Sequence, residues 1–201
     1  IISNSDDHNT LEQLLIDTNL DTALSSGVYT VFAPTDEAFA EIDLNTLTNE
    51  EAVQLLLNHV LSGSAENTDF TNGYVSTAAS ESFTGNENII NMYINVDGGI
   101  TLNGVSSVTL ENINASNGVV HVVDAVIPIP DITTFVTADS RFNTLGEALT
   151  RDDQPDFVGT LSSFNNPAPF TVFAPTNDAF VDLLEELELT ELSEIDASTL
   201  T

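Results

Sequence analysis

The chain has 201 residues and a mass of 21.5 kDa, enough for one or two domains with cores of their own. Thirty-two Asp and Glu face two basic residues, Arg141 and Arg151, for a formal net charge of −30, so nucleic acid and anionic membrane surfaces are poor partners. With no Cys, disulfides, thiolate metal sites and thiol nucleophiles are excluded.

Taken in chain order, Leu11, Leu14, Leu15 and Thr18 lie at i, i+3, i+4 and i+7 behind Asn9. With Glu12 three residues after Asn9, they predict a capped first helix. Tyr29 to Ala33 reads as a short strand ended by Pro34. Thr35 then caps a helix that carries Asp36 and Glu37 in its first turn, where they favour the helix dipole. Thr48 and Glu51 form a capping box. The apolar stripe Val53, Leu56, Leu57, Val60 and Leu61 extends the following helix to a stop before Gly63.

From there the pattern turns to β. Ile90, Met92, Ile94 and Val96 alternate with Asn91, Tyr93 and Asn95, and Asp97-Gly98 and Asn103-Gly104 are hairpin-type dipeptides. Val119 to Ile127 reads as the last strand, interrupted only by His121 and Asp124 and closed by Pro128 and Pro130. Helices first and strands last make the class α+β rather than a parallel α/β sheet.

The chain also repeats itself. GVYTVFAPTDEAFAEID from Gly27 parallels PAPFTVFAPTNDAFVDLL from Pro167, NTLEQLL from Asn9 is echoed by NTLGEAL from Asn143, and EIDLNTLT from Glu41 by EIDASTLT from Glu194. So long a period implies tandem homologous domains, at 1–130 and 131–201, with very little linker between Pro128 and Asp131. The second copy stops at Thr201, the counterpart of Thr48. It is expected to hold an N-terminal portion only, its core bare or covered by another chain.

TVFAPT-[ND]-x-AF, LLLNHVLSG, ITLNGV and ASNGVVHVVDAVIPIP follow one another in this order. In them the chain resembles the fasciclin (FAS1) domain, almost end to end in the first copy and over the available part of the second. The resemblance implies a wedge of β-strands flanked by N-terminal helices, in tandem, and an extracellular adhesion or matrix role. The family's tyrosine–histidine pair, linked to integrin adhesion in animal members, falls on Asn58-His59. Its Asp-Ile motif falls on Asn112-Ile113. The tyrosine and the acid are both replaced, so integrin is not expected as a partner.

His59 sits at the edge of a helical stripe. It reads either as a ligand contact or base, or as a partly buried histidine bonded to a cap or backbone group near the first box, and the second reading is preferred. His121, in an apolar strand, reads as structural, since no HxH or HExxH motif joins the chain's three histidines into a metal site. Thr35 and Thr176 stand where a helix-start nucleophile could sit, but no base is spaced to activate them and N-capping accounts for both. With no GxSxG, phosphate loop or dinucleotide fingerprint, no enzyme activity is expected. The run Glu185, Glu186, Glu188, Glu191 and Glu194 reads as a solvated face. No cofactor is expected beyond weakly bound Ca²⁺.

The leading expectation is therefore a non-enzymatic extracellular or cell-surface adhesion module, secreted by a marine or halophilic microbe. It would bind glycan, matrix, a cell surface or itself through loops and acidic faces. At 0.1 M salt the Debye length is about 10 Å, so brine relieves much of the repulsion among the carboxylates. The chain's opening at Ile1 without a Met reads as a trimmed product. The alternative is a soluble extracellular protein for a small molecule or glycan, with a pocket near His59.

Overall fold

The computed structural model describes residues 5–81, 87–163 and 169–200. The outer ends of the sequence repeat, at Pro167 and Thr201, lie outside these residues. The chain divides into two compact units, Ile1–Pro130 and Asp131–Thr201.

In the first unit, α1 (Asn9–Asp17) and α2 (Leu20–Leu24) precede β1 (Tyr29–Pro34), followed by α3 (Asp36–Ala40) and α4 (Asn49–Leu57). The strands β2 (Val60–Ser62), β3 (Gly73–Ser80), β4 (Ile89–Asn95), β5 (Thr101–Leu102), β6 (Ser106–Ala115) and β7 (Gly118–Val123) complete it. Neighbouring strands pair antiparallel in chain order. The parallel pairing of β1 with β7, Tyr29 opposite Gly118 through Pro34 opposite Val123, closes them into a barrel.

The period of two along β1 divides the core. Phe32 points into the barrel with Met92, Ile94, Leu102, Val123 and Ile127. Ala33 and Val31 face the helices, among Leu11, Leu20, Phe39, Leu55, Leu56 and Val120. Strands β1 and β7 are thus covered on both faces, which is why they read as nearly unbroken apolar runs.

Local chemistry sets several boundaries where the sequence puts them. Thr35 Oγ1 accepts from the Ala38 amide at 3.2 Å, and Thr48 and Glu51 make the reciprocal capping box. Asn103 (φ 52°) and Gly104 (φ 67°) both adopt the left-handed backbone that a two-residue hairpin needs.

Three expectations are corrected. The helix α4 ends at Leu57, because Val60 and Leu61 leave its stripe to pair with Val31 and Thr30 of β1. The last strand stops at Val123 and the chain bends before Val126 and Ile127, both still buried. At the start of α1, His8 rather than Asn9 occupies the cap position and makes no side-chain cap bond.

The second unit is helical in its described residues: α5 (Ile132–Ala138), α6 (Asn143–Leu149), α7 (Phe157–Leu161), α8 (Asn177–Glu186) and α9 (Ala197–Leu200). Val136, Leu145, Ala148 and Phe180 form its core. Both basic residues of the chain belong here and pair with near neighbours, Arg141 with Asp139 and Arg151 with Asp153, each at 2.6 Å. Arg151 also donates to the carbonyls of Leu192 and Ile195 at 2.8 and 2.9 Å, tying down the turn before α9.

Candidate functional site

Asn58 and His59 form the corner between α4 and β2, and both are buried, at 0% and 3% exposure. Asn58 Nδ2 donates to the carbonyls of Ile127 and Pro128 at 3.2 and 3.0 Å. His59 Nε2 accepts from the Ile127 amide at 2.8 Å, which leaves Nδ1 to carry the proton and donate to the Leu55 carbonyl at 2.8 Å. Burial lowers the imidazole pKa from 6.5 to about 4, against the opposing pull of the Leu55 carbonyl. The ring is thus neutral, with both nitrogens engaged. The pair clamps the segment after β7 to the end of α4. As direct contacts for a partner the two side chains are unavailable, because neither reaches the surface.

Asn112 sits at φ 58° in an irregularity of β6, between Leu110 and Ile113. Its Oδ1 accepts from the Asn67 amide and its Nδ2 donates to Asn67 Oδ1, both at 2.8 Å. Ile113 is half-buried and packs against the helix-side core. Asn112 therefore holds the 3-10 turn Asn67–Asp69 onto β6, while Ile113 anchors the strand to the helix-side core.

His121 has no exposed surface. Its ring lies 5.6 Å from those of both Phe32 and Phe70, inside the barrel. Nε2 donates to the Ala65 carbonyl at 3.1 Å, while Nδ1 faces the Asn112 amide at 3.4 Å. Among the described residues, no three His, Asp or Glu side chains converge as metal ligands would.

Asp36 does more than favour the dipole of its own helix. Its Oδ2 accepts from the Asn9 amide at 3.2 Å and its Oδ1 from the Thr10 amide at 2.7 Å, so it caps α1 from α3. The Thr10 amide, then the Asn9 side chain, lower its pKa from 3.8 to about 2. The second unit repeats the device with an amide: Asn177 Oδ1 accepts from the Thr144 amide at 3.0 Å. Thr176 keeps the N-cap backbone of Thr35 but makes no side-chain cap bond. The tertiary cap was readable in principle, since each copy pairs an Asn-Thr-Leu with a Thr-Asp or Thr-Asn.

Beside His59 the first unit contains a cleft of about 380 Å³ between the α1–α2 pair and strands β1, β2 and β7. Leu11, Leu56, Val60 and Val119 are among its buried walls, and Asp21 and Ser25 stand exposed at its edge. Concave, mainly apolar spaces of this size are the usual form of small-molecule sites.

Residues 6–130 match the fasciclin domain. Periostin of Homo sapiens is 30% identical over 162 residues, which cover 78% of this chain and 18% of periostin. A protein of Synechocystis sp. is 33% identical over 116 residues, covering 54% of this chain and 59% of that protein. The solved FAS1 domain pair of the insect cell adhesion molecule fasciclin I matches with a TM-score of 0.58 at 16% identity, over 88% of this chain and 62% of that one. At that identity the likeness concerns the fold. The chain spans less than two thirds of the length of each of these three proteins. With the domain match running from before α1 to Pro130, the chain belongs to the fasciclin family.

Proposed function

We propose that this protein is a non-enzymatic adhesion module, displayed outside the cell or on its surface by a microbe of sea water or stronger brine. The observation that carries the reading is the state of the two histidines in the family motifs. His59 and His121 are buried and bonded to backbone groups, so neither is placed to act on a substrate. Family membership supports the same reading, and a cell adhesion molecule supplies the matching solved domain pair. The two units are taken as tandem fasciclin-like domains.

Binding then rests on exposed loops and acidic faces, with Ca²⁺ held weakly between carboxylates at most. Glycan, matrix, a cell surface or a second copy are the partner classes; integrin, nucleic acid and anionic membranes are not. The test is a retention panel: beads coated with the protein are passed over cells, glycan arrays, matrix proteins and identical beads at about sea-water salt, where screening is nearly complete. Saturable retention on at least one surface is expected. Uniform failure across the panel contradicts the reading.

A further inference from the structure

The cleft beside His59 is unused by the adhesion reading and does not depend on it. We propose that it binds a small, non-anionic molecule with an apolar body and a hydrogen-donating head, of which a medium-chain alcohol is the simplest case.

Three observations set this chemistry. The cleft holds about 380 Å³ and its buried walls are largely aliphatic, which suits a short hydrocarbon and not a glycan, whose hydroxyls would find few partners there. The polar atoms left open at its edge are mostly acceptors. Asn117 Nδ2 is committed to the carbonyls of Leu24 and Gly27, leaving its Oδ1 without a partner among the described residues. The Asp21 carboxylate lines the same cleft and is exposed, and the Tyr29 hydroxyl, also in its lining, has no partner among the described residues. Charge decides the rest. The first unit carries eighteen Asp and Glu and no Lys or Arg, so nothing there neutralises a carboxylate or phosphate head, whereas a hydroxyl or ammonium meets acceptors.

The test uses the whole chain with methyl-labelled Leu and Val, titrated with 1-octanol, octylammonium and octanoate. The result expected is saturable shifts of the Leu15, Leu24, Val31 and Val119 methyls with 1-octanol and octylammonium, and binding of octanoate at least tenfold weaker. Two plugs at the edge, Ser25→Trp and Ala115→Phe, should abolish these shifts without lowering the unfolding midpoint. Three results overturn the proposal: no shift of the lining methyls, shifts confined to the exposed apolar surface around Phe173, or octanoate binding as well as octanol. Should a plug fail to fold, the methyl map and the charge preference of the unaltered chain still decide.

Discussion

Phe32 and Phe173 occupy the same place in two copies of one hexapeptide, yet Phe32 has no exposed surface and Phe173 is 92% exposed. Around Phe32 the segment is β1, held between β2 and β7. Residues 171–176 form no strand. Short β-prone sequence thus becomes a strand only where partners satisfy its backbone and cover its side chains. Phe32→Ala should therefore cost about 3–5 kcal/mol, as for a buried phenylalanine, and Phe173→Ala should stay within about 0.5 kcal/mol, as for a surface site. Urea unfolding of the two variants compares them directly.

The buried neutral imidazole of His59 makes stability depend on pH in a defined window. Its folded pKa of about 4 lies below the ordinary 6.5, so the unfolded chain binds the extra proton first as pH falls. The stabilisation is complete above pH 6.5 and is lost progressively toward pH 4. By linkage the loss amounts to about 3 kcal/mol. His59→Ala should remove this part of the slope and lower stability by about 3 kcal/mol at neutral pH, since it orphans two backbone groups and leaves a void. The imidazole carbon and nitrogen shifts, followed from pH 7 to 4, report the titration itself.

Asp36 governs a lower window. Its pKa is depressed from 3.8 to about 2, so the cap on α1 is complete above about pH 4 and is lost as pH falls toward 2. Asp36→Asn should keep the bond to Thr10, as Asn177 does to Thr144, while removing this acid dependence. Asp36→Ala should fray α1 at every pH. Amide exchange at Asn9 and Thr10 separates the two variants.

The net charge of −30 predicts a salt response in the whole molecule. Raising NaCl from about 0.01 M to 0.5 M shortens the Debye length from about 30 Å to a few ångströms. The thermal midpoint should rise steeply over that range and then level off. A flat response would mean that the carboxylates do not oppose folding.

Most local signals were legible in the sequence, the cap of α1 excepted, while signals that depend on distant partners were mostly not. Thr35 and the Thr48–Glu51 box cap their helices with atoms three residues away, so a short window suffices. Val60 and Leu61 fit the helical period as well as any residues before them. Only pairing with β1 turns them into a strand, and no window around them contains β1. Asn58 and His59 were visible as family positions, but their partners Ile127 and Pro128 lie about seventy residues on, so the clamp they form was not. The apolar walls of the cleft beside His59 come from separated segments that only the fold assembles.

The most direct test of the adhesion account asks which part of the molecule does the binding. Bead retention is measured at about sea-water salt for three proteins: the unaltered chain, a variant with the exposed Glu185, Glu186 and Glu188 all changed to Gln, and Asn58→Gln, checked to be folded. Specific retention of the unaltered chain is expected, with a clear change when the acidic face is neutralised and no change at the buried corner. Absence of retention, or retention that follows Asn58 and ignores the acidic face, would contradict the adhesion account.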